Sequence, residues 1–194
     1  MAVWNKVKQQ LESFLAPSLT GRLEYRATSY RYAHDKSGKC CIAVDKKEVF
    51  SMCDMKYGIR WYQTVNDVKK DPDIQVTVSE EEISALREET QGKIPEERLY
   101  GIIRNRKISE VADHIIKAQV VLGKTDFADA ANRFLSTSIE ESLASNEILL
   151  NILAIVDRRV GKSRLRKMKE QMNGKHPIVQ YFYALRCETE INVK

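Results

Sequence analysis

The chain is predicted to be α+β: an N-terminal helix plus a small antiparallel β-meander, followed by an all-helical C-terminal half. That half reads as an antiparallel helix bundle of short paired helices resembling helical repeats, without the fixed period of a solenoid. Three observations predict this. Apolar spacing switches from helical to alternating at Arg22 and stays so to Met52; nearly every apolar pattern beyond Ser79 is helical; and Ile148–Val156 is apolar except at Asn151. A run of that last kind forms a central helix buried on almost every side, wetted only along Glu147, Asn151, Ala154 and Arg158. The division expected is 1–78, helix plus meander, and 79–194, helical bundle, as two parts or one compact unit.

Trp4, Val7, Leu11, Phe14 and Leu15 recur at helical spacing until Pro17 and Gly21 stop the pattern. Leu23, Tyr25, Ala27 and Ser29 then alternate with polar neighbours. His34–Gly38 forms a turn, and Cys40–Val44 and Glu48–Met52 follow as strands around Asp45-Lys46-Lys47. So small a sheet needs a covering helix, for which the first helix is the candidate. Residues 55–68 read as helix and 74–78 as a fourth short strand.

Ser79 with Glu82 forms a capping box, with Val78 and Ile83 as its hydrophobic staple, and Gly92 ends that helix. Pro95 opens the next pattern, with Leu99, Ile102 and Ile103 on one face, and Ile108, Val111, Ala112, Ile115, Ile116 and Val120 follow the same rule. Phe127, Ala130, Ala131, Phe134 and Leu135 make another face after Thr125-Asp126. Ser138 with Glu141 repeats the capping box; Asn146 is the expected cap of the central helix, and Gly161 its left-handed terminator. Leu165, Met168 and Met172 share one side of the next helix. Pro177 opens the last, with Ile178, Tyr181, Phe182 and Leu185 facing the core.

The chain of 194 residues carries a net charge of +5, and that charge is concentrated. Residues 158–175 hold eight cations against Glu170 alone, leaving −2 for the remainder. No window approaches the roughly 18 apolar residues that span a bilayer, and the first residues lack the apolar stretch of a signal peptide. Four cysteines without CxxC spacing suit reduced thiols. A cytoplasmic protein with no membrane association is expected.

Gly161-Lys162-Ser163 hints at a phosphate-binding loop, but Val156 stands where that motif needs a glycine, inside a helical pattern. Asp157-Arg158-Arg159 has two readings. The arginines could grip phosphate with the following helix. Alternatively, Asp157 and Arg158 form a structural ion pair, because a carboxylate just past an apolar helix is costly to bury alone. The structural reading is preferred for those two, leaving Arg159, Lys162, Arg164, Arg166, Lys167 and Lys169 as the binding surface.

Catalytic signals are sparse. Asp45, Asp54 and Lys56 loosely echo metal-dependent nuclease sites, at unspecific spacing. His34 with Cys40, Cys41 or Cys53 could supply zinc ligands only by converging from one hairpin, which adjacent cysteines oppose. His114 lies in an amphipathic helix, and His176 before Pro177 suits capping. No serine sits in a nucleophile-elbow sequence. No cofactor or metal is expected.

Residues 11–31, 42–52, 138–165 and 176–190 together resemble a family of small bacterial proteins with no assigned activity. The segment Asp157-Arg-Arg-Val-Gly-Lys162 with Leu165 carries the resemblance most specifically. It implies a bacterial cytoplasmic protein and transfers no catalytic residue. The leading expectation is a non-enzymatic binding or adaptor protein offering its basic helical patch at 158–169 to an acidic protein or ligand. Nucleic-acid binding by the same patch is the alternative, and a metal-dependent hydrolase at the hairpin comes third.

Overall fold

A computed structural model describes residues 2–190; Met1 and residues 191–194, which the expected domain limits include, lie outside it. The elements are α1 (Ala2–Phe14), a 3-10 turn (Pro17–Leu19), β1 (Leu23–Ser29), β2 (Gly38–Val44), β3 (Lys47–Cys53), α2 (Asp54–Lys70), α3 (Glu80–Glu89), α4 (Glu96–Ala118), α5 (Lys124–Ser136), α6 (Ile139–Ala144), α7 (Ile148–Ile155), α8 (Lys162–Lys167), α9 (Lys169–Met172) and α10 (Pro177–Glu190). The predicted class holds: helix, three-stranded antiparallel sheet, then helices.

Two compact units form, Met1–Asp54 with Gly123–Lys194, and Met55–Leu122. The boundary expected at 78 falls inside the second. Residues 74–78 form no strand. Ile74 and Val76 pack against Val65, Val68, Ile108 and Ala112, while Val78 joins Ile83 against Leu86, Leu99 and Ile103. Alternation there serves an extended segment lying on helices, so no sheet partner is needed.

In the first unit the sheet runs β1-β2-β3, with Tyr25 opposite Ile42 and Cys40 opposite Met52. Asp45 and Lys46 both take positive φ (48° and 69°), the conformation of a tight two-residue hairpin turn. Arg22 grips Asp45 through Nε (2.9 Å) and Nη2 (2.6 Å). An added Cβ on Gly38 would lie 1.9 Å from the Thr28 carbonyl oxygen, so only glycine fits where β2 meets β1. Beyond α1, α5 also covers the sheet: Phe127 packs against both Trp4 and Tyr25, with centroids 5.7 and 5.9 Å away.

Helix α7 is the expected core rod, contacted by α5, α6 and α10. No wetted line remains at its centre, because Asn151 and Ala154 are buried. Asn151 Nδ2 donates to the carbonyls of Ser142 (3.0 Å) and Ser145 (2.8 Å), satisfying orphan acceptors at the end of α6. Asn146 does not cap α7: Glu147 holds that position, and Ser145 Oγ accepts its N–H. Ser138 and Glu141 form the predicted capping box, as do Ser79 and Glu82 in the second unit. On α10 the core-facing set is Val179, Phe182, Leu185 and Arg186, whereas Tyr181 is exposed.

Candidate binding surface

The corner after α7 is built on backbone. Ala16 N–H donates to the Val156 carbonyl (3.0 Å) and Arg158 N–H to the Phe14 carbonyl (2.7 Å), pinning the corner to the end of α1. Val160 N–H donates to the Asp157 carbonyl (3.1 Å), closing a tight turn. That turn throws Arg158 into solvent and folds Arg159 back. Arg159 donates its backbone N–H to Asp157 Oδ1 (2.6 Å) and Nη2 to Oδ2 (2.7 Å). The ion pair is therefore Asp157–Arg159, a correction to the expected pairing with Arg158. Asp157 is 1% exposed, and its hydrogen bond and charge push the Arg159 guanidinium pKa up. Burial, with the Asp157 charge behind it, likewise pushes the nearby Tyr25 phenol up.

Arg159 also covers aromatic surface, with its guanidinium carbon 4.5 Å from the Phe14 centroid and 5.6 Å from that of Phe134. Sequence reasoning missed a second arginine here. Arg186, 1% exposed, donates Nη2 to the Val160 carbonyl and Nη1 to Ser18 Oγ, both at 3.1 Å, and pairs with Glu190. Its i, i+4 spacing to Glu190 was the only local sign.

The remaining cations divide. Arg164 is engaged by Glu140 at 2.7 Å, and the Arg164 hydrogen bond holds the Glu140 carboxyl below its usual range. Lys175 Nζ donates to the Ser145 carbonyl (3.2 Å). Arg158, Lys162, Arg166, Lys167 and Lys169 are exposed, and among the described residues none makes a side-chain hydrogen bond or ion pair. Leu165, Met168 and Met172 are buried beneath them as expected. The supporting helix is not single, however. It breaks at Met168, so Lys162 and Arg166 stand on α8 and Lys169 opens α9. Gly161 has φ −79° and precedes α8 in extended conformation, instead of ending α7 in the left-handed one.

The hairpin residues have other partners. Asp45 is held by Arg22, while Asp54 accepts the N–H groups of Gly38 and Lys124, both at 2.7 Å. Among the described residues no cluster of three or more His, Cys, Asp or Glu is disposed to hold a metal ion. His176 Nδ1 accepts the Ile178 N–H (3.2 Å), a capping contact.

A family model, that of the SF0329 protein family, matches residues 3–187. The chain belongs to the SF0329 protein family. The match includes the central region that the resemblance seen in the sequence left uncovered. No curated protein and no solved structure matches this SF0329 family chain. No helix among its described residues is long and apolar enough to cross a membrane.

Proposed function

We propose that this SF0329 family chain is a non-enzymatic binding protein of the bacterial cytoplasm, receiving an acidic protein surface on Arg158, Lys162, Arg166, Lys167 and Lys169. The observation that carries the reading is the contrast within one corner. Arg159 and Arg164 are spent on Asp157 and Glu140, whereas these five cations are exposed and, among the described residues, form no side-chain hydrogen bond or ion pair, Lys162 reaching Glu190 only through its charge. Each is a donor with no acceptor capacity, so an anion is its complement. The support beneath them is buried, so docking requires little reordering of the backbone.

An acidic protein suits the patch better than a nucleic-acid backbone. Glu140 and Glu170 interrupt the positive row, α8 and α9 are only six and four residues long, and no aromatic side chain is interleaved for base stacking. Fluorescence anisotropy with a polyglutamate peptide, and with DNA of increasing length, tests the reading. The expected result is polyglutamate binding that weakens with salt and exceeds that for DNA. Failure to bind polyglutamate at low salt, or tighter binding to DNA that grows with length, overturns it.

A further inference from the structure

The loop between β1 and β2 holds an aromatic ring out in water, for Tyr32 is 83% exposed. The backbone that carries it is nonetheless tied along its length. Tyr30 N–H donates to the Ser37 carbonyl (2.8 Å), Ala33 N–H to that of Tyr30 (3.2 Å) and Lys36 N–H to that of Ala33 (3.3 Å). From α5, Lys124 Nζ donates to Ser29 Oγ (2.8 Å) and to the Lys36 carbonyl (2.9 Å). Asp35 is turned onto Ser37, accepting its N–H (2.9 Å) and its hydroxyl (2.5 Å). A tyrosine on so fixed a frame loses little conformational freedom when it meets a ligand.

The neighbours of the ring are cations. The Arg31 guanidinium carbon lies 5.6 Å from the Tyr32 centroid. Arg31 and Lys36 are exposed, and among the described residues neither side chain has an ion pair. Across residues 31–37 the only other apolar side chain is that of Ala33, too little to seal a dry protein contact around the ring. Stacking on a nucleobase needs one aromatic face alone, with cations beside it for the flanking phosphates. We propose that this loop binds an unpaired nucleotide of a single strand, Tyr32 stacking on the base while Arg31 and Lys36 take the phosphates on either side. The stacking aromatic that the α8 and α9 corner lacks is present here, so the loop is a second site, independent of acidic-protein binding at the corner. One ring reads one base, so affinity levels off beyond a few nucleotides and depends little on sequence.

Fluorescence anisotropy with labelled oligouridylate and oligothymidylate of about five nucleotides, at low salt, tests the site. Binding is expected, and the strand bound more tightly identifies RNA or DNA as the source of the nucleotide. Tyr32→Ala should weaken it about tenfold at an unchanged melting temperature, whereas Tyr32→Phe, which keeps the ring, stays within about twofold of wild type. Arg166→Glu with Lys169→Glu should leave oligonucleotide affinity unchanged even as polyglutamate affinity falls, which separates this site from the corner. Binding of neither strand, or a Tyr32→Ala variant that binds as wild type does, overturns the proposal. Loss of oligonucleotide binding in the corner variant alone places the strand on α8 and α9 and overturns it equally.

Discussion

The Arg159 guanidinium carbon lies 4.5 Å from the centre of the Phe14 ring while Nη2 donates to Asp157 at 2.7 Å. One side chain thus joins the end of α7 to the end of α1 by charge and by stacking. The side chain of its neighbour Arg158 points to solvent, and only the Arg158 backbone N–H reaches α1, at the Phe14 carbonyl.

Asp157→Ala therefore removes the partner of Arg159 and the acceptor of its N–H. A loss of about 3 kcal/mol is expected, at the low end for a broken buried pair because the Arg159 side chain remains 39% exposed. Arg158→Ala should change stability by less than about 0.5 kcal/mol. Urea unfolding of the two variants checks the assignment; equal losses would restore Arg158 as the structural partner.

Glu190 supplies a pH dependence. Burial pushes its carboxyl up, but hydrogen bonds from Arg186 and Ser18, with the Arg186 charge, outweigh burial and leave it below the usual range. A depressed folded value stabilises fully above the unfolded pKa of about 4.3, and that stabilisation is lost as pH falls through the folded value. Glu190→Gln should thus flatten the fall in urea midpoint below about pH 5. An unchanged slope would remove Glu190 as its source.

Asn151→Leu keeps the volume of the side chain but strips a donor from the carbonyls of Ser142, Leu143 and Ser145. Ser145 retains Lys175 as a donor, whereas the Ser142 carbonyl loses its Asn151 bond. A loss of about 1–3 kcal/mol is expected. Thermal unfolding with no loss would show that the buried amide is dispensable.

Features closed within a few residues were legible in the sequence. Ser79 with Glu82 and Ser138 with Glu141 are read correctly because both halves of each capping box lie three positions apart. Leu165, Met168 and Met172 follow helical spacing into the core despite the break at Met168. Long-range features were not legible. Arg186 finds Ser18 and Val160 at separations of 168 and 26 residues, so beyond its i, i+4 spacing to Glu190 nothing local marks it. Asn151 looked wetted because the α6 carbonyls that cover it depend on how α6 packs. The choice between Arg158 and Arg159 rests on one turn, which the sequence leaves open. Residues 74–78 alternate like a strand because any extended segment lying on helices does the same.

The division of labour at this corner, with Asp157 and Arg159 holding the fold and the outer cations free to bind, is tested most directly by Arg166→Glu combined with Lys169→Glu. Polyglutamate affinity and melting temperature are measured on the same sample. The prediction is an affinity loss of at least about tenfold, or about 1.4 kcal/mol, with the melting temperature essentially unchanged. Undiminished affinity, or a substantial drop in melting temperature, would contradict it.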